Sequence, residues 1–323
     1  MTQTAQHILG IDISKKSFDV ALLLPNGKRK NKKFCNDPEG FKALHDWLRE
    51  LDVHSLHACM EATNVYGNPL AEFLFDLGYT ISVVNPARIK GFAQSELSRT
   101  KNDKQDASLI ARFCIAMSPP PWQPDPLSIR QLKAMVRRID ALMDMKRQEA
   151  NRLGVAETLV RPEIQSHIND LDHRIKKLRQ DIQNHIDDDP DLKQQKDLLL
   201  SIPGVGEKTI ATLLSHFSTI NRFDTAKKLA SFCGVAPREF QSGSSVKGRG
   251  CMSKMGSAQI RKALFLPSMV ALRYNPTLIK LKERLAIQGK AKMVIIGAAM
   301  RKLIHIIFGV LKNNTPFNEN LVV

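Results

Sequence analysis

Apolar and polar residues alternate along the first part of the chain, as they do in half-buried strands. This pattern predicts strands over His7–Asp12, Ser17–Leu24 and Lys28–Cys35, with Pro25-Asn26-Gly27 as a hairpin turn. Helical spacing and further apolar runs predict a helix over Pro38–Leu51, a strand over Ser55–Glu61, a helix over Asn64–Leu77, a strand over Tyr79–Val84 and, after another helix, a helix over Asp103–Met117. Because strands alternate with helices, the pattern favours a layered α/β domain that ends at Pro119-Pro120-Pro121.

Residues 127–188 have a different pattern. Charged residues surround apolar positions at helical spacing, and Gly154 is the only glycine. This predicts two long helices that form an antiparallel, coiled-coil pair broken near Val160-Arg161-Pro162. The segment is expected to be a spacer or an oligomerisation arm. The acidic run Asp187-Asp188-Asp189 before Pro190 is interpreted as a solvated helix exit and not as a metal site.

The segment from Leu198 to Thr209 predicts a helix-hairpin-helix. An apolar helix end is followed by Pro203-Gly204-Val205-Gly206 and by a new helix that contains Lys208. Glycines let backbone N–H groups approach a phosphate, so such a hairpin binds the DNA backbone without reading its sequence. A plain tight turn between two helices is the alternative.

A Gly- and Ser-rich loop occupies residues 241–250 and is followed by helices over Ser257–Arg273, Thr277–Gln288 and Lys292–Lys312. A flexible linker has the same composition. However, cations surround Ser242 and can hold a phosphate: Lys247, Arg249, Lys254 and Arg261. A serine hydroxyl needs a base or a metal to become a nucleophile, and the loop contains no His. A Ser-His-Asp hydrolase is therefore poorly supported.

The net charge of the chain indicates what kind of molecule it binds. The 323 residues have a net charge of +16, which indicates a polyanionic partner. Residues 201–323 contain 19 Lys and Arg against 5 Asp and Glu, whereas residues 1–200 contain 29 against 27. The C-terminal part keeps helical apolar spacing, so its excess charge is expected on a folded surface. This argues for phosphate binding by the C-terminal part of the chain.

The remaining composition indicates a cytoplasmic protein. The five cysteines have no zinc-type spacing and are expected to be reduced thiols. The N-terminus lacks the basic and apolar regions of a signal peptide. The most apolar stretch, Val294–Leu311, contains Arg301, Lys302 and His305, so no membrane partner is expected.

Four carboxylates make up the candidate catalytic set. Asp12 and Glu61 come at the ends of predicted strands, and Asp103 and Asp106 share one face of a predicted helix. Converging carboxylates suit hard cations, and Mg²⁺ or Mn²⁺ held by them can assist phosphoryl transfer. Taken singly, each acid is more often a turn or helix-cap residue. The set of four favours a metal site.

The order of these motifs resembles that of a known family, the bacterial insertion-sequence recombinases with an acidic DEDD tetrad and a C-terminal serine, which include the Piv-like DNA invertases. The resemblance covers almost the whole chain. Its marks are Gly10-Ile11-Asp12, Glu61-Ala62-Thr63, Val84-Asn85-Pro86, Lys101 to Ala107, Ile202 to Gly206, Gln241-Ser242-Gly243, Met252 to Gly256 and Arg261. Each is weak alone, but they are specific in this order. Asn102 stands where Thr is usual, and Met255 takes a variable position.

The resemblance implies a RuvC-like (RNase H-like) metal-binding domain over residues 1–120, a coiled-coil linker over 121–190 and a mainly helical transposase domain over 191–323. By position, Asp12, Glu61, Asp103 and Asp106 match the family's metal-binding acids. Ser242 matches the serine that becomes linked to a DNA 5′-phosphate. The family also implies donor and target DNA, a structured guide RNA (the bridge RNA) and a dimer of dimers. A basic chain with 6% aromatic residues fits a protein that leaves sequence reading to base pairing.

Two other functions remain open from the residues alone. The first is a RuvC-like nuclease or junction resolvase, in which a metal-activated water attacks the DNA. The second is a non-catalytic nucleic-acid-binding protein. The residues favour nuclease and recombinase equally, and the family resemblance favours the recombinase.

Overall fold

The computed structural model describes residues 7–62, 65–96, 103–217, 220–238, 241–242, 246–247 and 250–319, with the backbone alone described for residues 65, 103–105, 241–242 and 246–247. The contacts divide the chain into two units, residues 1–124 and residues 125–323.

The N-terminal unit contains a five-stranded mixed sheet. Its strands are β1 (His7–Ile13), β2 (Ser17–Leu23), β3 (Arg29–Cys35), β4 (Leu56–Glu61) and β5 (Thr80–Val84). The order across the sheet is β3-β2-β1-β4-β5. β2 is antiparallel to β1 and β3, whereas β1, β4 and β5 are mutually parallel. The predicted α/β layering is confirmed.

Helices cover both faces of this sheet. They are α1 (Pro38–Glu50), α2 (Asn68–Asp76), α3 (Pro86–Ser95) and α4 (Asp103–Met117). Alternate residues of β1 enter different cores: Leu9 and Ile11 pack with α1 and α2, and Ile8 packs with residues of α3 and α4. Asn85 starts α3 because its side chain accepts a hydrogen bond from the Ala87 N–H at 2.9 Å.

The C-terminal unit is mainly helical. Its helices are α5 (Leu127–Val155), α6 (Arg161–Asp188), α7 (Pro190–Leu200), α8 (Glu207–Phe217), α9 (Ala226–Phe232), α10 (Ala258–Tyr274), α11 (Pro276–Ile287) and α12 (Lys292–Asn313). The His185 ring lies 2.8 Å from the Ser128 carbonyl, and Lys146 forms an ion pair with Asp172 at 2.6 Å. These contacts show that α5 and α6 are antiparallel. Coiled-coil packing of the pair stays a prediction.

The long helices share a core with the C-terminal helices. Ile129, Leu132 and Val136 of α5 and Ile182 and Ile186 of α6 belong to the same buried cluster as α8, α10 and α12. Consequently α5 and α6 are part of the C-terminal unit, and the predicted division of the chain into three segments remains a prediction.

Helix α12 is long and apolar enough to cross a membrane by length and composition. Half of its most apolar window is buried within the protein. Its buried residues include Leu303, Ile304 and Ile307, which pack in the core of the C-terminal unit. This is the behaviour of a core helix.

Candidate catalytic and nucleic-acid-binding sites

Two of the four predicted acids lie at neighbouring strand ends. The parallel ladder between β1 and β4 ends at the pair Ile11 and Met60. Asp12 and Glu61 each follow one residue later, so they occupy equivalent positions on adjacent strands. Both side chains are half-buried, and both interact with other residues of the protein.

A glycine brings helix α4 to this end of the sheet. A Cβ atom built on Gly10 lies 2.1 Å from the Ala107 carbonyl oxygen and 2.4 Å from the Ala111 nitrogen, which means that the backbone of α4 packs directly on β1. Asp12 comes two residues after Gly10, and Asp106 comes one residue before Ala107. The two acids therefore flank the same helix–strand contact from different elements.

The fourth acid, Asp103, is the first residue of α4. It is one helical turn before Asp106, but its side chain lies outside the described part of the structure. Among the residues whose side chains are described, no three His, Cys, Asp or Glu residues are placed to hold a metal ion. The four-acid metal site accordingly stays a prediction.

A fifth carboxylate was missed by the sequence reasoning. Asp19 of β2 is the register partner of Asp12, and cross-strand partners project from the same face of a sheet. Asp19 is buried, and its carboxylate lies 3.1 Å from the Lys33 ammonium. The pairing register of the first two strands, which the structure supplies, reveals it.

Cys59, which is close to Glu61 in the sequence, is expected to be an unreactive thiol. Cys59 lies two residues before Glu61 and is fully buried. A hydrogen bond with the Cys114 thiol and burial both raise the pKa of Cys59. Because a thiol reacts as its thiolate, Cys59 is a poor candidate for the nucleophile.

Ser242 lies in a β-hairpin of the C-terminal unit. Strand β6 (Pro237–Arg238) pairs with β9 (Cys251–Met252), and β7 (Gln241–Ser242) pairs with β8 (Val246–Lys247). Ser242 is opposite Val246 in the inner ladder. The described part of the predicted Gly- and Ser-rich loop thus forms short antiparallel strands between α9 and α10, and three residues separate Ser242 from Val246 in the sequence. The Ser242 side chain is outside the described part.

Arg261 links the two chain segments that flank these short strands. Its guanidinium donates hydrogen bonds to the carbonyls of Gly256, at 3.0 Å, and Cys233, at 3.4 Å. The structure gives Arg261 a role in positioning the segment, and its predicted contact with nucleic acid stays a prediction. Lys254 is exposed and has a positive φ of 54°. Lys247 is described as backbone only, and Arg249 lies outside the described residues.

The predicted helix-hairpin-helix corresponds to α7, a turn and α8. Gly204 has a φ of +100°, and a Cβ atom there would lie 2.7 Å from the Ala271 backbone nitrogen of α10. Gly204 is therefore needed for the turn itself and for packing. Gly206 is exposed with open space around it, and Lys208 is exposed in the first turn of α8. Of the two glycines, Gly206 is the one open to an approaching phosphate.

Comparisons with known proteins cover nearly the whole chain. Residues 9–159 match a family profile described as "Transposase", and residues 196–283 match one described as "Transposase IS116/IS110/IS902 family". The pilin gene-inverting protein of Moraxella bovis is 34% identical over 317 residues, which cover 97% of this chain and 98% of the relative. A transposase for insertion sequence element IS1328 from Yersinia enterocolitica is 22% identical over 296 residues, which cover 80% of this chain and 81% of the relative.

Proposed function

Because the chain belongs to the IS110 family of insertion-sequence transposases, we propose that it cuts and rejoins DNA through a covalent 5′-phosphoserine formed on Ser242. Asp12, Glu61, Asp103 and Asp106 hold Mg²⁺ or Mn²⁺ in this proposal. A structured guide RNA pairs with donor and target DNA, and the active assembly is a dimer of dimers in the cytoplasm.

The arrangement at the sheet edge is the observation that supports this function best. Asp12 and Glu61 follow the last pair of the ladder between two adjacent parallel strands, and Asp106 lies beside the contact of α4 with β1. Three elements that are distant in sequence thus carry these acids, and in the proposal their carboxylates converge when the metal is bound. The mixed sheet with helices on both faces is compatible with a RuvC-like domain.

The donor set fits a hard divalent cation. Carboxylate oxygens are the ligands that Mg²⁺ prefers, and carboxylates that converge repel one another unless a cation lies between them. When bound, the metal supplies charge neutralisation for a phosphate that gains negative charge. The chain's own part is to fix the acids on β1, β4 and α4, and Gly10 sets the distance of α4 from the sheet.

The proposed chemical step transfers the phosphate from DNA to the protein. The Ser242 oxygen forms a bond to the 5′-phosphate while the bond to the 3′ oxygen breaks. The serine proton passes to a carboxylate of the acidic set, and the departing strand leaves with a 3′-hydroxyl after taking up a proton. Rejoining reverses this step with a different 3′-hydroxyl, so one phosphate ester replaces another and no energy-rich co-substrate is needed.

The charge distribution supports a guided mechanism. The C-terminal unit contains 33 Lys and Arg against 19 Asp and Glu, whereas residues 1–124 contain 15 against 13. A basic, aromatic-poor surface binds backbones, and base pairing to an RNA then supplies the sequence specificity.

A serine variant tests this proposal. Ser242→Ala is expected to abolish both strand transfer and the protein–DNA adduct, and Ser244→Ala and Ser245→Ala are the matched controls that retain both. The adduct is detected on a denaturing gel with end-labelled DNA, and peptide mapping identifies the attached residue. An adduct on another residue, or normal recombination by Ser242→Ala, contradicts the proposal. Metal-dependent cleavage that never produces an adduct identifies a nuclease instead.

A further inference from the structure

A groove of about 590 Å³ opens in the C-terminal unit where α5, α6, α8 and α10 meet. None of its lining residues belongs to the acidic set or to the hairpin of Ser242. Its volume is within the range of ligand-binding pockets, which is about 300–1,000 Å³. Since all four walls are described helices that share one core, the groove is a preformed feature of this unit.

Cations from three of the four helices line the groove: Lys176 and Arg179 of α6, Lys208 of α8 and Lys262 of α10. All four are exposed. Within the described part of the chain, none of them forms an ion pair. The groove contains two acids, Asp140 and Glu207, so its lining has an excess of positive charge.

One of the two acids already takes part in a half-buried chain of hydrogen bonds. Gln259 donates a hydrogen bond from Nε2 to Asp140 at 2.7 Å and accepts one at Oε1 from His216 Nε2 at 3.2 Å. Burial lowers the pKa of His216, so that ring is neutral at pH 7 and adds no charge. Asp140 is therefore oriented by Gln259, and the four cations of the rim remain available to a ligand.

The interior of the groove is apolar and incompletely covered. Leu266 is 67% exposed and Met143 is 44% exposed, and both line the groove beside Val136 and Ile139. Large apolar side chains next to a cationic rim suit a ligand that is apolar on one side and anionic on the other. A nucleotide has both parts, since its base can lie on apolar side chains while its phosphate contacts Lys and Arg.

We infer that this groove binds an unpaired stretch of a DNA strand, with bases against Leu266 and Met143 and phosphates at Lys208, Lys262 and Arg179. The inference rests on the proposed function, in which DNA is the substrate and strands separate during exchange. A double helix keeps the flat faces of its bases stacked inside, so it would bring its backbone to the cations and leave the apolar lining uncovered. Lys208 also follows the α7–α8 turn, so a strand can pass from that turn into the groove.

Charge reversal tests the rim. Full-length Lys262→Glu and Arg179→Glu are compared with Lys280→Glu on α11 and Lys177→Glu on α6, two exposed lysines outside the groove. Binding of a short labelled single-stranded DNA is followed by fluorescence anisotropy in EDTA. The rim variants are expected to bind about tenfold more weakly, with a log–log salt slope reduced by about 0.7 for each lost phosphate contact, the value for single strands. The control variants are expected to bind as the parent does.

A neutral variant tests the apolar lining. Leu266→Ser is expected to weaken single-strand binding without changing the salt slope, and Ile287→Ser, at an exposed position of α11, is the matched control. Equal losses for duplex and single-stranded DNA, or no loss with Leu266→Ser, contradict the inference. Losses for an RNA oligonucleotide with none for DNA also overturn it. Because the binding assay is run in EDTA, it needs no metal, so its outcome does not depend on the acidic site and a failure of catalysis is distinguished from a failure of the groove.

Discussion

Asp12 of β1 and Asp106 of α4 lie next to the contact between these two elements. Substituting either acid is therefore the most direct single-residue test of the acidic site. Asp12→Asn or Asp106→Asn is expected to reduce DNA cleavage by more than about 100-fold, because changes next to metal ligands already cost about 10–100-fold. Nucleic-acid binding should change little, since the positive charge is concentrated in the other unit. Cleavage and anisotropy assays measure the two effects.

The matched control for these variants is Asp46→Asn, an exposed acid on α1. It removes the same charge from the same unit and is expected to cleave DNA normally. Wild-type recombination by either site variant, or an equal loss in the control, argues against the acidic site.

Sequence reasoning at the residue scale found four acids but could not find Asp19. Strand-end acids are visible as polar residues that terminate apolar runs, as with Asp12 and Glu61. Asp19 lies inside a strand, and it joins the site only through its register with Asp12. Register depends on the pairing of two strands and on turn geometry, so a single-strand pattern does not reveal it.

At the scale of elements, the packing of α4 on β1 depends on one glycine. Gly10→Ala is expected to lower the free energy of unfolding by about 1–3 kcal/mol, because the new methyl group overlaps the backbone of α4. It should also impair cleavage, since α4 carries Asp103 and Asp106. Denaturant unfolding and a cleavage assay measure both quantities.

Gly91→Ala is the control for this substitution. Gly91 lies in α3 with open space around its Cβ position, so alanine there is expected to stabilise the protein by up to about 1 kcal/mol through helix propensity. If Gly10→Ala is as stable and as active as Gly91→Ala, the close packing of α4 does not position the acids.

The α7–α8 turn contains two glycines, Gly204 and Gly206, whose substitution is expected to have different effects. Gly204→Ala is expected to destabilise the protein, because Gly204 has a φ of +100° and contacts Ala271. Gly206→Ala is expected to keep the stability but to weaken duplex DNA binding, because its methyl group enters the space that a phosphate would occupy. Unfolding and duplex anisotropy measurements separate the two. Unchanged binding by Gly206→Ala favours a plain structural turn.

The boundaries of helices and strands were predictable where hydrophobic periodicity is strong. They were less predictable in the Gly- and Ser-rich segment, which has no such periodicity. The strands of the sheet and the long helices follow the predicted pattern closely, and the break between α5 and α6 lies at residues 156–160, just before the predicted position. The hairpin that contains Ser242 was not predicted, because Gly and Ser have low strand propensity and the segment lacks alternation. Its described residues pair through the backbone, which sequence composition does not reveal.

At the scale of the whole molecule, the hydrophobic core determines which fragment of the chain can fold and so be used to measure DNA binding by the basic surface. Sequence alone places the charge excess in residues 201–323, but a fragment with those bounds would expose the apolar faces that contact Ile129, Leu132, Val136, Ile182 and Ile186. Residues 125–200 contain 14 Lys and Arg against 14 Asp and Glu. Including them completes the core without changing the excess of +14.

We therefore expect an isolated fragment of residues 125–323 to fold and to bind duplex DNA, whereas residues 1–124 bind weakly. Because the fragment's excess charge displaces condensed counterions, its log–log salt dependence should be steep, with a slope of roughly −0.9 for each phosphate contacted. Circular dichroism establishes folding, and anisotropy at several salt concentrations gives the slope. A folded fragment that binds no DNA at low salt would show that net charge alone is the wrong guide to the nucleic-acid surface. Binding that is equal for the two fragments would instead show that the surface extends over both units.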